Sequence, residues 1–100
     1  AALSGGQRQS VAVARSLLLS PPIYIMDEPS NSMDNSTEEQ FKQNLAKQLG
    51  TQTLILVTHR ASLLTLVDRL IVMDGSKIMA DGPKEKVLEA LKKGQIKVSN

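Results

Sequence analysis

Apolar positions along this 100-residue chain come in short bursts whose period changes from element to element. After Gly5-Gly6, residues 7–19 place Val11, Ala14, Leu17 and Leu18 at helical spacing, and Pro21-Pro22 stops the run. Residues 23–26 form an unbroken apolar stretch with β-branched and aromatic members, the pattern of a strand buried on both faces. Residues 27–35, rich in Pro, Ser and Asn, read as a loop. A helix should follow, with Ser36 and Glu39 as a capping box, Phe41, Leu45 and Leu49 on its inner side, and Gly50 at its end. Residues 53–58, TLILVT, predict a second buried strand, and 61–67 a short helix. The strands at 69–73 and 77–80 flank Asp74-Gly75-Ser76, a hairpin turn signal. Pro83 suits a first helical position, with Val87, Leu88 and Leu91 giving the last helix its apolar side. From Lys92 onward the chain is a polar tail. Strands alternating with helices predict an α/β fold: a mostly parallel sheet with packed helices, then a β-hairpin and a helix.

Composition narrows the function. Hydrophobic residues make up 41% and charged residues 22%, an ordinary globular balance, and no stretch approaches the roughly 20 apolar residues that cross a bilayer. Cysteine is absent, which excludes disulfides and thiolate metal sites. The net charge of +2 gathers at Lys84, Lys86, Lys92, Lys93 and Lys97, the pattern of a solvated helix face. Tyr24 and Phe41 are the only aromatic residues, so the chain lacks stacking platforms and no nucleic-acid partner is expected. The first residue is Ala1 and not Met, which suggests a trimmed piece of a longer protein.

Three stretches carry candidate chemistry. IYIMDEP, residues 23–29, puts Asp27 and Glu28 at the carboxyl end of a strand, where open α/β sheets bind ligands. Adjacent residues face opposite sides of a strand, so the two acids have different tasks: Asp27 suits Mg²⁺ held through water, and Glu28 suits polarising an attacking water. A solvated acidic turn fits the same residues equally well. His59 follows the second strand and shares a rim with Glu28 if the strands are neighbours; a structural histidine is the alternative. Ser4-Gly5-Gly6 precedes a helix, so backbone N–H groups and the helix dipole face whatever lies before it, as an anion site requires. An ordinary glycine turn capped by Ser4 is again the simpler reading of that stretch alone.

In combination these motifs say more. LSGGQRQ (3–9), IYIMDEP (23–29), SNSMD (30–34) and LVTHR (56–60) resemble, in order, the signature motif, Walker B motif, D-loop and switch histidine of the ABC ATPases. The resemblance covers essentially the whole chain. It implies the C-terminal part of a RecA-like P-loop ATPase core, residues 1–100 being a partial ATPase domain with a polar tail at 92–100. It further implies that Ser4 and Gly6, in a binding set with Gly5 and Gln7, contact the γ-phosphate of ATP bound mainly by a second copy. Asp27 would hold Mg²⁺ through water, Glu28 would be the general base, and His59 would contact the γ-phosphate in Glu28's own subunit. Asp34 would belong to the D-loop linking the two sites. The D-loop departs from the usual Ser-Ala-Leu-Asp, reading Asn31-Ser32-Met33-Asp34.

The G-x-x-x-x-G-K-[ST] phosphate loop and the glutamine loop do not occur in these residues, so the isolated chain is expected neither to bind Mg-ATP tightly nor to hydrolyse it. Residues 58–91, from THR to the end of the last helix through DGP, resemble the exporter branch. Residues 27–45, DEPSNSMDNSTEEQFKQNL, resemble type I secretion exporters of toxins and adhesins. The resemblance implies a homodimer of ATPase domains, each fused to a transmembrane domain, on the cytoplasmic side of a bacterial inner membrane, moving a secreted protein. The alternatives are a soluble ABC ATPase acting on chromosomes or ribosomes, a stand-alone half-domain that lends Ser4 and Gly6 to a full ATPase, and a catalytically inert folding unit.

Overall fold

The computed structural model describes residues 4–96 and 98. Leu3 of the opening motif lies outside the described residues, as do Lys97, Ser99 and Asn100 of the expected tail. The chain divides into two compact units, residues 1–66 and 67–100.

In the first unit, α1 (Gly5–Leu18) leads to β1 (Ile23–Asp27), α2 (Asn35–Gln48), β2 (Thr53–Val57) and a 3₁₀ helix over Ala61–Leu66. β1 and β2 pair in parallel, Ile23 opposite Thr53 through Asp27 opposite Val57. The strand thus reaches Asp27, one residue beyond the expected run. The core gathers Tyr24, Met26, Met33, Phe41, Leu45 and Leu63, with Val13, Leu17, Leu49, Leu54, Leu56 and Leu66 packed against it. Both aromatic rings are therefore core residues. Summed over these side chains, burial of apolar area at about 25 cal/mol per Å² is the main stabilising term.

Several expectations are corrected. α1 begins at Gly5, not at residue 7, because Ser4 caps it: Gln7 N–H donates to Ser4 Oγ at 3.1 Å and Ser4 N–H donates to Gln7 Oε1 at 3.0 Å. Its inner side is Gln9, Val13 and Leu17, four residues apart, while Val11, Ala14 and Leu18 face outward. The strands are not buried on both faces. Tyr24, Met26, Leu54 and Leu56 point into the core, whereas Ile23, Ile25, Ile55 and Val57 are each about half exposed or more. α2 is capped by Asp34 rather than Ser36, and Glu38 rather than Glu39 faces inward. The segment after β2 is a 3₁₀ helix, not an α-helix.

The bare face of β1 and β2 has a direct consequence. Purified residues 1–100 are expected to self-associate through these apolar side chains. Light scattering should give a mass that rises with concentration; Ile25→Lys, whose side chain is 73% exposed here, should suppress the rise.

In the second unit, β3 (Arg69–Asp74) and β4 (Lys77–Pro83) form an antiparallel hairpin, followed by α3 (Lys84–Lys92). Gly75 and Ser76 both have positive φ, 56° and 65°, which is the two-residue turn that matches strand twist. A bulge falls between Val72 and Met73. Pro83 ends β4 and caps α3 with ψ 140°, so the helix starts one residue later than expected. Val87 is the buried residue of α3, packed over Gly82, while Leu88 turns outward. Arg69 and Asp81 form a bidentate cross-strand pair at 2.7 and 2.8 Å, which holds the Asp81 carboxyl below its ordinary range.

Candidate functional site

The two parallel strands bring Glu28 and His59 to one rim. Asp27 is the last residue of β1 and opposes Val57, the last of β2. One residue on, Glu28 takes a left-handed backbone (φ 48°) and its N–H donates to Val57 O at 2.7 Å. A non-glycine residue in that region is strained, and the bond to β2 helps hold it there. The turn sends the Glu28 side chain toward the end of β2, where Oε1 lies 3.5 Å from His59 Nε2. That separation exceeds hydrogen-bond length.

Glu28 Oε1 is buried and has no hydrogen-bond partner among the described residues. Leaving a buried acceptor unmatched costs about 1–3 kcal/mol, so this oxygen is arranged to accept from a donor other than these side chains, such as water. His59, by contrast, is 97% exposed. Asp27 is exposed at the strand end, its side alternating with that of Met26 in the core. Among the described residues no cluster of three or more His, Asp or Glu side chains could cage a metal. A Mg²⁺ ion held by one carboxylate, waters and phosphate oxygens needs no such cage.

The opening motif and the loop before α2 meet elsewhere in the same unit. Ser4, Gly6, Gln7, Ser32, Asp34 and Thr37 line one open cleft of about 500 Å³. Four N–H groups at a helix start lack intrahelical acceptors. Here Gln7 Oε1 and Ser4 Oγ take those of Ser4 and Gln7. Ser4 Oγ accepts within the cap and still carries its own proton. Asp34 Oδ1 accepts from Thr37 N–H at 2.7 Å, and bonds from the Thr37 side chain and backbone hold its carboxyl below the usual range. Asp34 is thus a helix cap at the cleft's edge.

The glycines serve a second purpose that spacing alone does not reveal. A Cβ on Gly5 would come 3.1 Å from Ser32 Cβ, and one on Gly6 would come 3.1 Å from Ser32 O. The helix start and the loop therefore lie in close contact. Gln9 secures that contact: its Nε2 donates to Glu28 O at 3.1 Å and Asn31 Oδ1 at 2.5 Å, and Ser32 N–H donates to its Oε1 at 3.0 Å. Gln9 was not singled out in the sequence, although a polar residue four before Val13 on the inner stripe of a helix is the available signal. Gln9→Ala is expected to cost about 1–3 kcal/mol, since it strands polar partners on the loop, and urea unfolding of the complete domain measures it.

A second network that sequence reasoning missed centres on Glu38, 5% exposed. Ser30 Oγ donates to its Oε2 at 2.9 Å; Arg60 Nη1 donates to the same oxygen and Ser62 Oγ to Oε1, both at short range. The Ser62 hydroxyl, with Arg60 and Ser30, outweighs the desolvation of burial and holds the carboxyl at about 2.

Comparison with known proteins points to the family that the motifs resemble. The family model described as ABC transporter matches residues 1–31. The ATP-dependent lipid A-core flippase of Bordetella pertussis is 40% identical over 90 residues, 90% of this chain and 14% of that protein. The flippases of Neisseria gonorrhoeae (42% over 86 residues; 86% of this chain, 14% of that one) and Francisella novicida (39% over 87 residues; 87% and 15%) are similar. The chain thus spans only about one-seventh of the curated relatives it matches. Among solved structures, a bacterial ABC transporter cassette in its dimeric form superposes with a TM-score of 0.73 at 34% identity, covering 81% of this chain and 36% of the cassette. The same cassette in a post-hydrolysis state bound to ADP and Pi gives 0.74, with the same identity and coverage. The fold is accordingly the α/β fold of those cassettes. The chain belongs to the ABC transporter ATPase family.

Proposed function

We propose that these residues supply one half of a composite ATP-hydrolysing site in an ABC exporter, and that the complete protein uses ATP to move its cargo. The observation that carries this reading is the Glu28–His59 pair: a buried, unpartnered carboxylate oxygen 3.5 Å from an exposed imidazole, on the rim of a parallel sheet. Glu28 Oε1 accepts the hydrogen of the attacking water and takes its proton. His59 donates to a γ-phosphate oxygen. Asp27 holds a water of the Mg²⁺ shell, and the ion, when bound, neutralises phosphate charge. The N–H groups of Gly5 and Gly6, the Ser4 hydroxyl and Gln7 form a second anion site, which acts on ATP held by another copy of the domain. Asp34 fixes the loop between the two.

The reading makes the protein a homodimer of ATPase domains coupled to transmembrane domains, at the cytoplasmic side of an inner membrane. Binding is differential: ATP favours the closed pair because the γ-phosphate meets Ser4, Gly5 and Gly6 only when the copies come together. Residues 1–100 carry no phosphate loop, so the purified chain is expected to hydrolyse no Mg-ATP above background, whereas the full-length protein does. Phosphate release from both preparations tests this. Hydrolysis by residues 1–100 that Glu28→Gln abolishes would contradict it.

The protein-secretion subgroup read from residues 27–45 draws no support from the relatives, which are named as lipid A-core flippases. An amphipathic lipid is therefore the cargo we propose, with a secreted protein as the alternative. Stimulation of hydrolysis by lipid in reconstituted vesicles favours the first; stimulation by an unfolded secretion substrate alone favours the second.

A further inference from the structure

We propose that Glu38 is a positioning residue for His59, its buried carboxylate clasping the two loops that carry Glu28 and His59 and so setting the spacing between them. The inference rests on the roles given above to Glu28 and His59.

Both loops end on the same group. Ser30, two residues past Glu28, donates to Oε2 at 2.9 Å. Arg60, adjacent to His59, donates to the same oxygen, and Ser62 donates to Oε1. The imidazole itself is 97% exposed, so packing does not orient it. Its position follows from the backbone on either side. On the near side, β2 is held by its ladder with β1 and by the Glu28 N–H bond to Val57 O. On the far side, Arg60 N–H closes a tight turn onto Thr58 Oγ1 at 3.0 Å, and beyond it the side chains of Arg60 and Ser62 are tied to Glu38. Without that carboxylate the far side of the His59 turn loses its anchor, whereas the loop through Ser30 keeps its bonds to Gln9 and from Glu28 N–H to Val57 O. A displacement of about 1 Å at a reacting group can cost a hundredfold in rate.

A carboxylate buried among three donors could instead serve stability alone, and the test separates the two roles. In the full-length protein, Mg-ATP hydrolysis is measured for Glu38→Gln, His59→Ala and the double variant, with Ser62→Ala as a milder change should Glu38→Gln fold poorly. The expected result is a kcat loss of about tenfold or more for Glu38→Gln with KM for ATP within about twofold, and no further loss when Glu38→Gln is added to His59→Ala. Ser62→Ala should show the same pattern at smaller amplitude. Equal fractional losses in the two backgrounds, or a wild-type kcat for both Glu38→Gln and Ser62→Ala, would overturn the proposal while leaving the composite site standing. Full hydrolysis by His59→Ala would instead remove the reading beneath it, and the proposal with it.

Discussion

Replacing Glu28 by Gln in the full-length protein is expected to slow Mg-ATP hydrolysis by about 10²–10⁴-fold, the usual worth of a positioned general base. The amide keeps the size of the side chain and can still accept a hydrogen bond, but it cannot take up a proton. Binding should survive, because the groups assigned to phosphate and Mg²⁺ (Ser4, Gly5, Gly6, Asp27 and His59) are unchanged. The left-handed backbone at Glu28 and its bond to Val57 O are also independent of the side chain. The variant should therefore accumulate in the ATP-bound state. Phosphate release and retained radiolabelled ATP, measured on one preparation, check both halves. Hydrolysis within a few-fold of wild type would remove Glu28 from the chemistry.

Glu38→Ala is expected to destabilise the complete ATPase domain by about 2–4 kcal/mol, near the lower end for breaking a buried ion pair because Arg60 keeps access to water. Ser30 and Ser62 lose their acceptor and the Arg60 guanidinium loses its counter-charge. The same group gives a pH signature. Its folded value of about 2 lies below the ordinary 4.5, so folding favours the ionised form. That contribution is complete above 4.5 and is lost as pH falls from 4.5 through about 2. Urea midpoints taken across this window should fall less steeply for Glu38→Gln than for wild type. Identical slopes would mean the carboxylate gains nothing from folding.

The hairpin and the rim were legible because each rests on local signals. Asp74-Gly75-Ser76 admits few backbone solutions, and an acid or a histidine at the end of an apolar strand has one place to go. The register of helices was harder. Val11, Ala14 and Leu18 look like an inner stripe by hydropathy, yet the side occupied by Gln9 is inward, where Gly5 and Gly6 bring the helix against Ser32 and Gln9 bonds the loop. Ser36 with Glu39 and Asp34 with Thr37 are rival caps two residues apart. What decides is remote: Ser62 and Arg60, more than twenty residues on, need Glu38 inside, and that rotation fixes Asp34 as the cap. The bare face of β1 and β2 was not legible in the unbroken apolar runs, which read as strands buried on both faces.

A composite site requires the helix start at Ser4 to act on nucleotide held by the other copy. The most direct measurement is Mg-ATP hydrolysis by the full-length protein carrying Ser4→Arg, beside Ser4→Thr, which preserves a capping hydroxyl. Hydrolysis should be lost in the first, with ATP binding retained because the nucleotide is held mainly by the other copy, and near-normal in the second. Wild-type hydrolysis by Ser4→Arg would contradict it.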